Sequence, residues 1–196
     1  MTLRNKIRAG KFPTLLPRWL AERAEGAELL EFSLLLPFLL VILAGVIDFG
    51  GAWATKDKLA GAAREGARVA VANFNDTTNP QCGGTPCSVQ AAAIAATRYL
   101  TDAGVNTCGF DASTSAPAAG TFTWTYTANS CTNPWTLTIE RAVPVMSGGA
   151  TAMCTRVTIN FPYAWNFGDV LGLLVGANGY TSTITLVSSE TMTNLN

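Results

Sequence analysis

The chain has 196 residues, 48% of them hydrophobic and only 13% charged, with a formal net charge of zero; it is too apolar for a disordered segment and long enough for one domain with an anchor. It contains no histidine, which excludes Ser-His and Cys-His nucleophiles and histidine-ligated zinc. From Ala27 onward seven basic residues face eleven acidic ones, a balance that gives no reason to expect nucleic acid as a partner.

The basic charge is gathered at the start. Arg4, Lys6, Arg8, Lys11, Arg18 and Arg23 precede Gly26, against Glu22 and Glu25. An apolar run follows. Phe32 to Ile47 carries no charge, and from Leu29 to Trp53 only Glu31 and Asp48 are charged. A spanning helix needs about 20 predominantly apolar residues, so residues 27–53 are expected to cross a bilayer. Lys and Arg stay on the cytoplasmic side, which places the N-terminus inside and the chain beyond Thr55 outside. All five cysteines, Cys82, Cys87, Cys108, Cys131 and Cys154, lie on that outer side, where an oxidising compartment would pair them. The charged leader and the apolar run are both too long for a secretory signal peptide, whose apolar core is about 7–15 residues. Pro37 is tolerated in a membrane helix and predicts a kink over Ser33–Leu36.

Glu31 stands at the head of the apolar run, where a carboxylate is costly and needs a partner. A cut after Gly26 would give Ala27 a new α-amino group and make Glu31 the fifth residue of the mature chain. Pairing with the amine of an adjacent subunit would offset the desolvation of both charges and set the register of one helix against the next. Gly26, Glu31 and Phe32, behind a basic leader, resemble the processing site of type IV prepilins. More specifically, "GAELLEFSLLLPFLLVILAGVIDFGGAWATKDKLAGAAREGARVAVA" (26–72) is similar to the N-terminal region of TadE-like proteins, minor pilins or pseudopilins of the tight-adherence (Tad/Flp) pilus. The matching pieces are "EF" (31–32), "LP" (36–37), "IDFG" (47–50) and "AAREGAR" (62–68), and "TRVTINFPY" (155–163) resembles a late strand of the same family. The resemblance implies a protein of assembly and adhesion rather than an enzyme. It implies cleavage between Gly26 and Ala27 by a prepilin peptidase and subunit docking through Glu31 and Phe32. Its partners would be that peptidase, the major and other minor pilins, the inner-membrane assembly platform and membrane lipid. No cofactor, metal or nucleic acid is implied. The chain would sit in the inner membrane as a single-pass protein, or in the pilus.

Asp48 is expected at the outer interface, where a carboxylate is tolerated. Gly45, Gly50 and Gly51 would let another helix approach closely. The helix continues over 54–74, with Ala60, Ala63, Ala67 and Ala70 on one packing face and Arg64, Glu65 and Arg68 on a solvated stripe. A loop rich in Asn, Thr, Gly and Pro spans 73–87. Its Cys82 and Cys87 are the expected disulfide, because Gly83, Gly84 and Pro86 allow a tight loop. The other pairings stay open, and an odd count leaves one thiol over. The C-x4-C spacing fits no zinc pattern. Ser88 is expected to cap a second helix, 89–101, with Ala91, Ile94, Ala95 and Tyr99 as its apolar stripe.

Strands follow at 121–127, where Phe122, Trp124 and Tyr126 share a face, and at 135–143 and 154–163, joined by a loose loop at 146–152. An apolar, glycine-rich connection (168–179) leads to a last strand at 180–189. The expectation is an α+β fold: a long N-terminal transmembrane, pilin-like helix, then a short helix and an antiparallel sheet of about four strands. The chain divides into a cleaved leader (1–26), the span (27–53), its continuation (54–74) and a disulfide-containing ectodomain (75–196). Two other functions compete. One is an uncleaved, anchored binding protein that recognises a sugar, a surface or a partner through Trp124, Trp135 and Trp165. The other is an anchored hydrolase using carboxylates, although Asp102, Asp111, Glu140, Asp169 and Glu190 show no paired pattern.

Overall fold

The computed structural model describes residues 19–72, 75–147, 150–166 and 183–194. It divides into two compact units, 1–43 and 44–196. Helix α1 (Trp19–Ala72) contributes to both and carries Pro37 in its interior. From Phe32 on, the first-unit part of the helix carries no charge, and Phe32, Phe38 and Leu39 are exposed. It is long and apolar enough to cross a membrane, with a mean hydropathy of 2.5 in a window of which nothing is buried. A helix hydrophobic all round belongs either in a core or in a bilayer. Most of the basic leader and the 168–179 connection lie outside the described residues.

The second unit is α+β. After α1 come β1 (Thr78–Asn79), a 3₁₀ turn (Pro80–Cys82), β2 (Thr85–Pro86) and α2 (Cys87–Asp102). Then follow β3 (Ala118–Ala119), β4 (Thr123–Ala128), β5 (Trp135–Ser147), β6 (Ala150–Ala164) and β7 (Thr183–Thr193). Strands β1 and β2 form their own small sheet, and the other five pair antiparallel in the order β3-β4-β5-β6-β7. The main sheet thus has five described strands rather than four, the extra one being the two-residue β3. Pairing of β5 with β6 persists to Ser147↔Ala150, so the expected loose loop at 146–152 is mostly strand.

Period-two alternation builds the core face of the sheet. Trp124, Tyr126 and Ala128 of β4 face inward with Trp135, Leu137 and Ile139 of β5 and Val157 and Ile159 of β6. Phe122 does not join them. It precedes the strand, has a positive φ of 56° and stays exposed. Phe110 closes one side, edge-on to Tyr126 and Trp135 at 6.4 and 5.1 Å. Over this face lie Leu59, Ala62, Ala63, Ala67 and Ala70 of α1 and Val89, Ala92, Ala93, Ala96 and Leu100 of α2. The buried stripe of α2 is therefore not the expected one, for Ile94 stays exposed and Tyr99, 41% exposed, lies over Gly61 of α1. The reason is the seam with α1. A side chain on Gly66 would come within 3.2 Å of Ala96 Cβ and 3.3 Å of the Ala92 carbonyl, and only small residues fit such an approach. The capping expectation is also corrected. Ser88 lies within α2, and the group that caps the helix is the Asp76 carboxylate, which accepts from the Ser88 N–H at 2.7 Å.

Candidate functional site

The residues singled out at the N-terminal end fall into two groups. Gly26 and Ala27 lie within α1, and Gly26, Glu31 and Phe32 are exposed. A Cβ added at Gly26, Gly45 or Gly50 would meet nothing within 4 Å. Ala63 and Ala67 are instead fully buried in the chain's own core. Phe49 and Trp53, one turn apart, are both 64% exposed, with ring centroids 6.4 Å apart.

Asp48 is covered by the protein itself, being only 4% exposed. Its Oδ1 accepts the backbone N–H of Asn166 at 3.1 Å, and its carbonyl accepts the Tyr163 hydroxyl at 3.4 Å. Gly51 likewise receives Tyr163 rather than another helix: an added Cβ would lie 2.5 Å from that hydroxyl oxygen. Burial, and then the Asp48 charge, raise the Tyr163 pKa above its ordinary value. Trp165 stands edge-on to Tyr163 at 5.5 Å. The "IDFGG" segment is thus the seat for the end of β6.

A second polar centre was missed in the sequence. Arg141 ends the inward series Trp135, Leu137, Ile139 on β5, just before a bulge at which Ala142 takes a φ of 57°. Its side chain is 4% exposed and donates to Asp76 Oδ1 at 2.8 Å, and its guanidinium lies 5.6 Å from the centre of the Trp124 ring. Asp76, Thr78, Pro86, Phe122, Trp124 and Arg141 border an open groove of about 440 Å³. The signal that was available is a charged residue at a core position of an alternating strand. Trp124 and Trp135 are 7% and 1% exposed, so two of the three rings a binding surface would use are committed to the core.

Residues 26–68 match the family model described as TadE-like protein. The chain carries a TadE-like segment. No curated protein and no solved structure matches the chain. The TadE-like match begins at Gly26 and ends at Arg68. Within the TadE-like segment, Arg68 pairs with Glu65 at 2.6 Å, and Arg64 reaches Glu190 of β7 at 3.2 Å.

Beyond the TadE-like segment, Cys82 is bonded to Cys87 and Cys108 to Cys131, while Cys154 is a buried free thiol. Among the described residues no group of three or more His, Cys, Asp or Glu could hold a metal.

Proposed function

We propose that the chain is a minor pilin or pseudopilin of a Tad/Flp-type pilus, cut after Gly26 by a prepilin peptidase and assembled by helix packing around Glu31. The observation that carries this reading is the TadE-like match opening at Gly26, with Glu31 exposed five residues on along a helix apolar enough to cross a membrane. Residues 1–26 are then a cytoplasmic leader, 27–53 include the inner-membrane span, 54–74 extend the helix and 75–196 form the periplasmic or extracellular ectodomain. Removal of the leader frees the Ala27 amine. The Glu31 carboxylate of a neighbour is a natural counter-charge for it in lipid, where neither charge is stable alone. Phe32, Gly45 and Gly50 supply contact and close approach, and Pro37 adapts the helix to its neighbours. The partners are the peptidase, other pilins and the assembly platform.

Intact-mass measurement of the membrane-extracted protein tests the cut. A chain beginning at Ala27 is the expected result, and one beginning at Met1 in piliated cells overturns it. Glu31→Ala should leave the cut in place and abolish piliation, scored by electron microscopy of sheared fractions.

A further inference from the structure

We propose that the base of the ectodomain, the Tyr163–Asn166 end of β6 together with Phe49 and Trp53, is seated in the outer interfacial layer of the bilayer and there takes Asp48 out of lipid. The proposal rests on the reading that α1 spans a membrane, and not on the pilus assignment.

The first argument is one of length. Glu31 and Asp48 are seventeen residues apart, and such a helix rises only about 25 Å. The hydrocarbon layer is about 30 Å thick, and tilting the helix only shortens its reach. A stretch this short sets at least one of the two carboxylates at or below the headgroup boundary. A bare carboxylate within the hydrocarbon costs about 2.5 kcal/mol or more. Asp48 is the one the chain covers, through Asn166 N–H at 3.1 Å and the ring of Tyr163 above Gly51. The groups that cover it must share its depth, so the end of β6 reaches the membrane.

The second argument is composition. Phe49, Trp53, Tyr163 and Trp165 are gathered at this one level of α1 and β6. Aromatic side chains with a polar tip favour the headgroup boundary. Phe49 and Trp53 are 64% exposed, so their rings are free to meet acyl chains. Lys56 and Lys58 follow within about a turn and a half of Trp53, where their stems can lie along lipid and their ammonium groups reach phosphate, with the exposed Asp57 between them.

The test is quenching of tryptophan emission by brominated lipid. The full chain carrying Trp19→Phe is reconstituted in phosphatidylcholine/phosphatidylglycerol vesicles whose acyl chains bear bromine near the headgroup. Trp124 and Trp135 are buried in the core, which leaves Trp53 and Trp165 as the reporters. Adding Trp53→Phe should lower quenching by about half and leave the rest, since a second interfacial indole remains. The measurement isolates Trp165 without altering β6. Complete loss of quenching in that variant, with the chain still resistant to alkaline carbonate extraction, overturns the seating while leaving the span intact. Extraction by carbonate removes the span itself and the inference with it. Unquenched Trp53 together with self-crosslinking of a Phe49→Cys chain would assign the aromatic stripe to a second copy and overturn the lipid assignment.

Discussion

Asp76 gathers donors from two distant places: the N–H and hydroxyl of Ser88 at 2.7 and 2.9 Å, and the Arg141 guanidinium at 2.8 Å. Burial alone would raise its pKa, but these donors outweigh burial and hold the carboxyl below its ordinary value. The folded-state pKa is therefore lower than the unfolded one. The stabilisation is fully present above the unfolded value of about 3.9 and is lost as pH falls through the folded value. Asp76→Ala removes a helix cap and the counter-charge of a buried arginine. A loss of about 2–3 kcal/mol is expected, less than for a fully buried pair, because a quarter of the Asp76 side chain remains exposed. Urea unfolding of the detergent-solubilised chain at neutral pH measures it. Asp76→Asn keeps the cap, so it should lose less and show a flatter decline in stability towards acid. Glu31 stands out in the sequence because no charge follows it until Asp48. Arg141 was legible only as an anomaly, since its partner lies 65 residues away in the sequence. The cover over Asp48 was not legible for the same reason, its donor Asn166 being 118 residues distant.

At the scale of elements, local patterning served the strands better than the helices. A period of two gives a strand only two faces, and Trp135, Leu137 and Ile139 chose theirs without ambiguity. An alanine-rich helix offers several stripes of similar hydrophobicity. On α2 the stripe through Ile94 and Tyr99 competes with the one through Val89 and Leu100, and what decides is shape. Ala92 and Ala96 are the residues small enough to meet α1 at Gly66. The element scale thus makes its own prediction. Gly66→Val should destabilise the protein by about 1–3 kcal/mol through overpacking, despite the better helix propensity of valine. Thermal unfolding followed by circular dichroism reports it. The same substitution at Gly50, where an added Cβ meets nothing, should leave the midpoint almost unchanged.

At the scale of the whole chain, four of the five cysteines are paired in two disulfides. The Cys82–Cys87 bridge was readable from its short glycine- and proline-bearing loop. The bridge between Cys108 and Cys131, 23 residues apart, was not, because sequence distance carries no geometry. Loop-closure entropy makes the longer bridge worth more, about 3 kcal/mol against about 2 for the shorter. Replacing Cys108 and Cys131 together by serine should lower the urea midpoint more than replacing Cys82 and Cys87. The α+β class followed from the order of helical and alternating segments, but the two-residue β1, β2 and β3 are too short to leave a pattern.

The small-residue face of α1 carries a consequence for how the molecule comes into being. This helix is made early, and Gly66 on its buried face packs against Ala92 and Ala96 of α2 and Val157 of β6, while Arg64 finds Glu190 of β7 across 126 positions. Hairpins of the sequential sheet can form as they emerge, but contacts so remote in sequence close last and slowly. Under the proposed topology, export would leave the part of this face that β6 covers waiting until that strand has crossed. A stall in translocation before Thr183 would then leave Arg64 without Glu190 and β6 without its neighbour β7.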